Sequence, residues 1–300
     1  MTNTQSSILN YRGRFAPSPS GPLHFGSLVA AIGSYLDAKY NNGQWLVRME
    51  DLDPPRTVQG ASRDILMSLE KLGMEWDEEV FFQSQRNQAY QLALSNLDQK
   101  GILYPCTCSR REIADSSIAG ISGSIYPGTC RNKLSHVDRP AALRLRTNHH
   151  TIAFKDALRG LVCQQLEHDI GDFVLRRADN VYAYQLAVVV DDAQQNITHV
   201  VRGTDLLDST PRQIYLQRLL GYTTPSYMHL PVVTNAQGEK LSKQTHAAPI
   251  DPSNALSQMV AALEFLGQNP PKELADDNLA TFWQWAIKNW RIDKIPTTQE

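Results

Sequence analysis

The chain has 300 residues, of which 42% are hydrophobic and 20% are charged, and its formal net charge is −2. This length predicts two or three folded units, and the composition excludes a disordered chain. No apolar run approaches the roughly 20 residues that a membrane span needs. The net charge argues against a protein that coats nucleic acid by bulk electrostatics, but it permits a local basic face.

The first residues, 1–7, contain neither a basic region nor an apolar stretch, so we predict no secretory signal and a cytoplasmic location. Because that compartment is reducing, disulfides are not expected. The cysteines at Cys106, Cys108, Cys130 and Cys163 are therefore candidates for metal ligands or buried thiols.

The N-terminal part predicts a β-α-β unit. Residues 11–16 read as a strand, apolar residues recur on one helical face from Gly26, and residues 44–49 read as a second strand. Such a unit implies a parallel sheet. Two further helices are predicted, at 57–73 and 85–100.

The character of the chain changes after Cys106. Residues 106–177 contain all four cysteines, much Pro, Gly and Ser, and an excess of Arg and Lys, which indicates an inserted α+β subdomain. The later elements are predicted as follows: β-rich sequence at 182–190 and 198–202, a helix at 211–220, a strand at 228–233 and a helical tail from 245 whose tryptophans we expect in a core.

These elements predict an α/β fold with four regions. They are a Rossmann-like first half at 11–105, the insertion at 106–180, a Rossmann-like second half at 181–245, and a short helical C-terminal region at 246–300.

A loop between the first strand and helix can hold phosphate. It contains His24, Gly26 and Ser27 at the predicted start of the helix, where free N–H groups attract anions. A histidine can donate to a phosphate oxygen, and a glycine lets a ligand approach the backbone. Taken alone, however, such a loop is common in proteins that bind no nucleotide.

A second polar loop, residues 237–243, follows the last predicted strand and carries Lys240 and Lys243. Most such lysine pairs are simply solvated. Facing a phosphate-binding helix, they could instead neutralise a departing pyrophosphate.

Together, His24–Ser27 and Lys240–Gln244 resemble the two signatures of the class I aminoacyl-tRNA synthetases. The resemblance covers about residues 12–245, and three further segments resemble the glutamyl branch: Arg14–Gly21, Arg48–Asp53 and Val200–Leu207. The chain departs from the class pattern at Phe25, at Ser27, where a second histidine is usual, and at Gln244.

Only residues 245–300 follow the second signature, too few for the helical anticodon-binding region of a full glutamyl enzyme. The chain therefore resembles the stand-alone catalytic relatives of that branch. The resemblance implies ATP-dependent activation of L-glutamate without tRNA, and its transfer to queuosine at the first anticodon position of tRNA(Asp). The implied ligands are ATP with Mg²⁺, glutamate and this tRNA, with no membrane or DNA.

Glutamate presents two carboxylates and one ammonium, all of which a buried site must pair. Arg14 and Arg202 can bind carboxylates bidentately, Glu50 can take the ammonium, and the hydroxyl of Tyr184 can hydrogen-bond. A surface ion pair for Glu50 and plain core packing for Tyr184 are the alternatives. The resemblance implies the following glutamate-binding set: Arg14, Phe15, Ala16, Pro17, Ser18, Glu50, Tyr184 and Arg202.

The resemblance also implies roles in catalysis. His24 holds a phosphate, together with Gly26 and Ser27 in the ATP site, and Lys243 reaches the pyrophosphate with Lys240 nearby. Three alternatives remain: a conventional glutamyl core that charges the tRNA 3′ end, a non-catalytic RNA-binding relative, and another nucleotidyl transferase.

Cys106, Cys108 and Cys130 offer three thiolates for a structural zinc ion, which needs four ligands. From the residues alone the fourth ligand can be Tyr126, His136 or Cys163. The glutamyl-branch resemblance implies a Cys-x-Cys and Tyr-x-x-x-Cys site, and hence Tyr126. Reduced, partly buried thiols without metal are the alternative.

Overall fold

The computed structural model describes residues 10–120, 123–132, 139–234, 248–251 and 254–297. Within these residues the strands are β1 (Arg12–Phe15), β2 (Gln44–Met49), β3 (Phe81–Phe82), β4 (Leu103–Cys106), β5 (Ile118–Gly120), β6 (Gly123–Ile125), β7 (Ala142–Leu145), β8 (Thr151–Asp156), β9 (Gly160–Gln165), β10 (Phe173–Arg176), β11 (His199–Gly203) and β12 (Ser226–Leu230).

The α-helices alternate with these strands in both halves. They are α1 (Phe25–Tyr40), α2 (Ala61–Lys71), α3 (Asn87–Gln99), α4 (Arg110–Ser116), α5 (Leu166–Asp169), α6 (Tyr184–Gln194), α7 (Thr210–Leu220), α8 (Ala255–Phe265) and α9 (Leu279–Asn289). None of the helices in the described ranges is long and apolar enough to cross a membrane.

The predicted β-α-β unit is confirmed. β1 and β2 pair in parallel, with Arg12 opposite Gln44, and β2 pairs in parallel with β3. The crossover helix α1 begins after His24, whose side chain accepts a hydrogen bond from the Ser27 N–H, and ends at Asn41. Helix α1 is buried along most of its length, because it fills the space between the sheet and the C-terminal helices.

The second half of the sheet attaches to the free edge of β1. Thr198 donates its N–H to the carbonyl of Arg12 at 2.9 Å, and β11 then pairs in parallel with β12. The strand order therefore reverses between β1 and β11. At such a reversal the helices after the two strands leave on different sides, and a crevice opens at the carboxyl ends of the strands. Those ends are Phe15 and Gly203.

The chain segment between the two halves of the parallel sheet forms hydrogen bonds with residues of both halves. The hairpin β8–β9 extends the second half, since Ala157 donates its N–H to the carbonyl of Tyr227 in β12 at 2.9 Å. β4, β7 and β10 form a separate antiparallel sheet. The bounds of the four regions remain a prediction.

The prediction of β-rich sequence at 182–190 is wrong, because residues 184–194 form α6. Every residue from Leu186 to Asp192 is buried in this helix, so its apolar residues show no helical period. A short, fully apolar run fits a buried helix as well as a buried strand, and tertiary packing then overrides the β preference of the valines.

The C-terminal tryptophans fill the core beside α1, as expected. Trp290 is 1% exposed, and its indole N–H donates to Asp37 at 3.1 Å. Trp283 donates to the carbonyl of Leu72 at 2.8 Å. The last helix is thereby fastened to both α1 and the end of α2.

Trp290→Ala should lower the free energy of unfolding by about 3–5 kcal/mol, because it leaves a large cavity and removes the partner of Asp37. Trp285→Ala is the matched control, since that side chain is only partly buried at the edge of the same core and should cost much less. Denaturant unfolding of both variants measures the difference; equal losses would contradict this account of the core.

Candidate active-site cleft and cysteine cluster

A cleft of about 710 Å³ lies at the carboxyl ends of β1 and β11. The predicted glutamate-binding residues that line it are Arg14, Phe15, Ala16, Ser18, Glu50, Tyr184 and Arg202. Pro17 is not part of the lining; its carbonyl accepts the N–H of Glu50 at 3.0 Å and so holds the end of β2. The strand reversal thus brings together residues that are far apart in sequence.

A buried cluster of opposite charges adjoins Arg14 and Glu50 of the cleft lining. Asp192 of α6 accepts from Arg14 Nε at 3.2 Å and from Arg48 Nη2 at 2.7 Å. Burial alone would raise the pKa of Asp192, but the two guanidinium groups hold it below its ordinary value. A charged Asp192 therefore fixes both arginines.

Arg14 keeps much of its guanidinium available. Its hydrogen bonds to described residues come from Nε, to Asp192, and from Nη1, to the carbonyl of Val201 at a long 3.5 Å. A planar fork with an unused edge beside a cleft suits the bidentate binding of a carboxylate.

Glu50 is a nearly buried carboxylate that lacks hydrogen bonds at one oxygen. Its side chain is 9% exposed, and its Oε1 lies 3.5 Å from Arg48 Nη2 without a hydrogen-bond partner among the described residues. Burial raises the pKa of Glu50 to about 7, although Arg48 and Arg14 oppose the shift. An unsatisfied carboxylate on a cleft wall attracts a cationic donor.

Arg202 is held from three sides. Nε donates to His229 at 3.2 Å, and Nη2 donates to Thr210 Oγ1 at 2.7 Å and Gln213 Oε1 at 2.8 Å. Nη1 donates to the hydroxyl of Tyr184 at 3.3 Å. The sequence predicted a bidentate role for both Arg14 and Arg202; with Nε and Nη2 engaged, Arg202 offers the cleft its Nη1 beside the Tyr184 hydroxyl.

The Tyr184 hydroxyl stays protonated, because burial raises the pKa of Tyr184 against the opposing charge of Arg202. It can therefore donate to an acceptor in the cleft. Tyr184 is the first residue of α6, so the helix that replaces the predicted strand also sets the position of this ring.

The outer part of the cleft carries charges that the sequence did not single out. Asp53 accepts from Arg56 at 2.5 Å and from Arg177 at 3.2 Å, and all three line the cleft with Tyr182. The hydrogen bond from Arg56, the largest cause, lowers the pKa of Asp53. Charged residues on exposed turns give no periodic signal, so spacing could not identify them.

Asp156 and His229 are also missing from the predicted site, yet they are buried behind Arg202. His229 lies in β12 and Asp156 at the end of β8. Only the paired sheet brings them together, and no local pattern could have revealed this.

The predicted phosphate residues lie at the N-terminus of α1. His24 caps the helix by accepting the Ser27 N–H at its Nδ1, at 3.3 Å, and Gly26 lies in the first turn. These residues are not part of the lining of the cleft described above. The cap fixes the plane of the His24 ring at a helix end that favours anions.

Lys240, Lys243 and Gln244 lie outside the described residues. The chain after them returns to the phosphate loop: Pro249 forms a β-bridge with His24, and Ile250 donates its N–H to the carbonyl of Leu23 at 3.0 Å. Before them, Leu230 packs so closely on α1 that a Cβ at Gly33 would lie 2.5 Å from its side chain. Both flanks of the lysine segment therefore contact α1 or its preceding loop.

The Sγ atoms of Cys106, Cys108 and Cys130 lie within 4.8 Å of one another, and this cluster could hold a metal ion. The hydroxyl of Tyr126 lies 3.4 Å from Cys106 Sγ and 3.7 Å from Cys108 Sγ. Donor atoms around a tetrahedral zinc ion with bonds of about 2.0–2.3 Å are separated by roughly 3.3–3.8 Å. The donor set therefore fits a four-coordinate ion.

The other two candidates for the fourth ligand are Cys163 and His136. Cys163 lies exposed on β9, opposite Ala153, and is not part of the cluster. His136 lies outside the described residues. Within the cluster, burial would raise the pKa of Cys130, but hydrogen bonds, led by that with Tyr126, lower it to about 7.

The fold and the cleft define a class I synthetase catalytic domain. The family described as tRNA synthetases class I (E and Q), catalytic domain, matches residues 10–256. This class combines a parallel α/β sheet with an insertion, as the structure does, which confirms the predicted fold class.

The chain is 59% identical over 288 residues to the glutamyl-Q tRNA(Asp) synthetase of Dechloromonas aromatica (strain RCB), covering 95% of this chain and 96% of that protein. It is 53% identical to the enzyme of the same name from Chromobacterium violaceum, covering 95% of each chain. The chain belongs to the family of glutamyl-Q tRNA(Asp) synthetases.

Among solved structures, the glutamate–tRNA synthetase of Elizabethkingia anophelis is similar with a TM-score of 0.78 and 25% identity, over 96% of this chain and 67% of that one. A glutamate tRNA ligase of Elizabethkingia meningosepticum, solved with its amino acid, has a TM-score of 0.77 and 24% identity and shares the fold over 66% of its length. This chain thus spans about two thirds of those ligases.

Cys130→Ser should remove bound metal, because it replaces one of three clustered thiols with a poor ligand. Cys163→Ser is the control and should retain the metal, since this residue lies outside the cluster. Elemental analysis of the purified proteins measures the metal-to-protein ratio. A Cys130→Ser protein with an unchanged ratio would contradict the metal site.

Proposed function

We propose that this protein uses ATP to activate L-glutamate in the absence of tRNA and transfers the glutamyl group to queuosine in the first anticodon position of tRNA(Asp). The observation that carries the amino-acid specificity is the charge pattern of the cleft. Arg14 and Arg202 offer donors to two carboxylates, and Glu50 offers an unsatisfied acceptor. The proposed nucleic-acid substrate is based on the name of the family and on the sequence resemblance. A cytoplasmic location of the protein is part of the same proposal.

In the bound state, the Arg14 fork takes one glutamate carboxylate in two hydrogen bonds, and Arg202 Nη1 with the Tyr184 hydroxyl takes the other. Glu50 accepts from the ammonium group. Phe15, Ala16 and Ser18 form the wall next to Arg14, and Pro17 holds the backbone of Glu50. Every charged group of the substrate is then paired, as a buried site requires.

The first step needs positioning more than proton transfer. The α-carboxylate of glutamate attacks the α-phosphorus of ATP in line, forming glutamyl-adenylate and releasing pyrophosphate. His24, with Gly26 and Ser27 at the N-terminus of α1, holds phosphate oxygens, and Lys240 and Lys243 neutralise the leaving pyrophosphate. Mg²⁺ bound to ATP supplies further charge neutralisation.

In the second step a hydroxyl of the queuosine cyclopentene ring attacks the glutamyl carbonyl and forms an ester bond. The bond between the carbonyl carbon and the phosphate oxygen breaks, AMP leaves with its electron pair, and the hydroxyl proton passes to water or to the phosphate. Arg56 and Arg177 line the cleft and are cations that can bind a phosphodiester backbone.

The cysteine cluster would hold one structural zinc ion through Cys106, Cys108, Cys130 and the Tyr126 oxygen. The support for Tyr126 is its distance to two sulfurs and the N–H of Cys130, which donates to the phenolic oxygen at 2.8 Å. The Arg144 guanidinium carbon lies 3.8 Å from the centroid of the Tyr126 ring, and this cation–π contact holds the ring in place. The ion would stiffen the insertion and take no part in the chemistry.

Glutamate-dependent exchange of labelled pyrophosphate into ATP, without tRNA, tests the first step. Wild-type protein should support exchange, and His24→Ala should lower it about 10²–10³-fold. Labelled glutamate should then appear on tRNA(Asp) that carries queuosine and not on the same tRNA without it. Label at the 3′ end would identify a conventional charging core, and no exchange would identify a non-catalytic RNA-binding relative.

The KM for glutamate should rise as the pH falls through about 7, because Glu50 must be ionised to pair with the ammonium. Below this pKa the carboxyl group is protonated, and the KM should rise roughly tenfold per pH unit. Glu50→Gln should have a high KM that is flat over this range. The KM for ATP is the internal control. A wild-type KM for glutamate that is constant from pH 5.5 to 8.5 would contradict the assignment.

A further inference from the structure

Behind the cleft, three buried side chains form a continuous chain of hydrogen bonds. His229 Nδ1 lies 2.7 Å from Asp156 Oδ2, and His229 Nε2 lies 3.2 Å from Arg202 Nε. Both Asp156 and His229 have fully buried side chains. The order Asp156–His229–Arg202 runs from the hairpin of the insertion to the wall of the cleft.

The partners of His229 define its protonation. His229 Nε2 has two partners, Arg202 Nε at 3.2 Å and Thr210 Oγ1 at 3.0 Å. Arg202 Nε can only donate, so His229 Nε2 must be an acceptor, and the Thr210 hydroxyl then donates to it as well. The carboxylate of Asp156 accepts, so the ring proton sits on Nδ1. Burial, the largest cause, lowers the pKa of His229 despite the hydrogen bond to Asp156, so the ring is neutral. His229 is therefore held as the Nδ1–H tautomer.

Asp156 is itself held rigidly. Its Oδ1 accepts the backbone N–H groups of Leu158 at 3.0 Å and Arg159 at 2.9 Å in the turn that begins the β8–β9 connection. These bonds lower the pKa of Asp156 despite its burial, together with the hydrogen bond from His229. A fixed carboxylate sets the plane of the imidazole, as in other carboxylate–histidine pairs.

The contact at Nε controls the direction of the Arg202 guanidinium. Nη2 is bound to Thr210 and Gln213 on α7, and Nε is bound to His229 on β12. With two of its three nitrogens fastened on different elements, the plane cannot turn about the Cδ–Nε bond. Nη1 is then kept beside the Tyr184 hydroxyl at the cleft.

We propose that His229 is a positioning residue, which Asp156 orients and which aims Nη1 of Arg202 at the substrate carboxylate. The inference rests on the proposed function, because it assumes that Arg202 binds glutamate. It adds that the amino-acid site is completed by a residue of the insertion, Asp156, which never touches the substrate.

Two variants test the two ring nitrogens of His229 separately. His229→Gln places an amide oxygen near the position of Nε2 and keeps an acceptor for Arg202, whereas His229→Asn places its amide near Nδ1 and keeps only the partner of Asp156. We expect His229→Asn to raise the KM for glutamate about tenfold or more and His229→Gln to raise it less than about threefold. The KM for ATP should change little in both.

Arg202→Lys is the reference for loss of the fork and should raise the KM for glutamate at least as much as His229→Asn. Thermal unfolding of each variant reports on stability alone. Equal rises in the KM for glutamate in the two His229 variants, or parallel rises for glutamate and ATP that follow the loss of stability, would overturn the positioning role.

A second measurement needs no variant and no activity. Nitrogen-15 spectra of the imidazole groups in the wild-type protein should show His229 as a neutral Nδ1–H tautomer at neutral pH. An Nε2–H tautomer or a charged ring would overturn the inference even if neither variant folds. Absence of glutamate-dependent exchange in the wild type would instead refute the proposed function, while the tautomer would still decide the arrangement behind Arg202.

Discussion

The pairing of the edge of β1 with the chain that enters β11 is the constraint on which the site depends. One backbone hydrogen bond, from Thr198 to Arg12, marks the place where the two halves of the sheet join and the strand order reverses. Each strand delivers one arginine to the same edge, Arg14 from the first half and Arg202 from the second. Without this junction the two charges would lie on separate surfaces, and the cleft would have no floor.

Placing several buried cations close together is unfavourable, and the structure shows which groups stabilise them. Asp192 forms ion pairs with Arg14 and Arg48, while Arg202 is surrounded by uncharged acceptors on α7 and β12. Arg14 and Arg202 are therefore held by different means, Arg14 by an ion pair and Arg202 by neutral hydrogen bonds. Glu50 Oε1 and Arg48 Nε are left without a hydrogen-bond partner among the described residues, and of the two residues only Glu50 lines the cleft, where a ligand could pair with it.

The sequence predicted the parts of the fold that local patterns determine. The β-α-β unit, β11 and α7 were predicted correctly from periodicity and turn residues. The strand after α7 was predicted at 228–233, two to three residues later than β12 at Ser226–Leu230. The prediction of a strand was wrong at α6, because complete burial removes the helical period of its apolar residues. The predicted residues along the cleft were taken from the family resemblance. Asp156, Asp192 and His229 could be identified only in the folded sheet, because their partners lie far away in the chain.

The hairpin β8–β9 has a consequence for how such enzymes can diversify. It follows the cysteine cluster in the chain, yet its Asp156 contacts His229, which in turn contacts Arg202 at the cleft. This segment is therefore not an exchangeable module. A graft that swapped it for the corresponding region of another synthetase would also replace the support of Arg202. Under the proposed role of Arg202, a change in acceptor recognition acquired that way would arrive with a change in amino-acid selectivity.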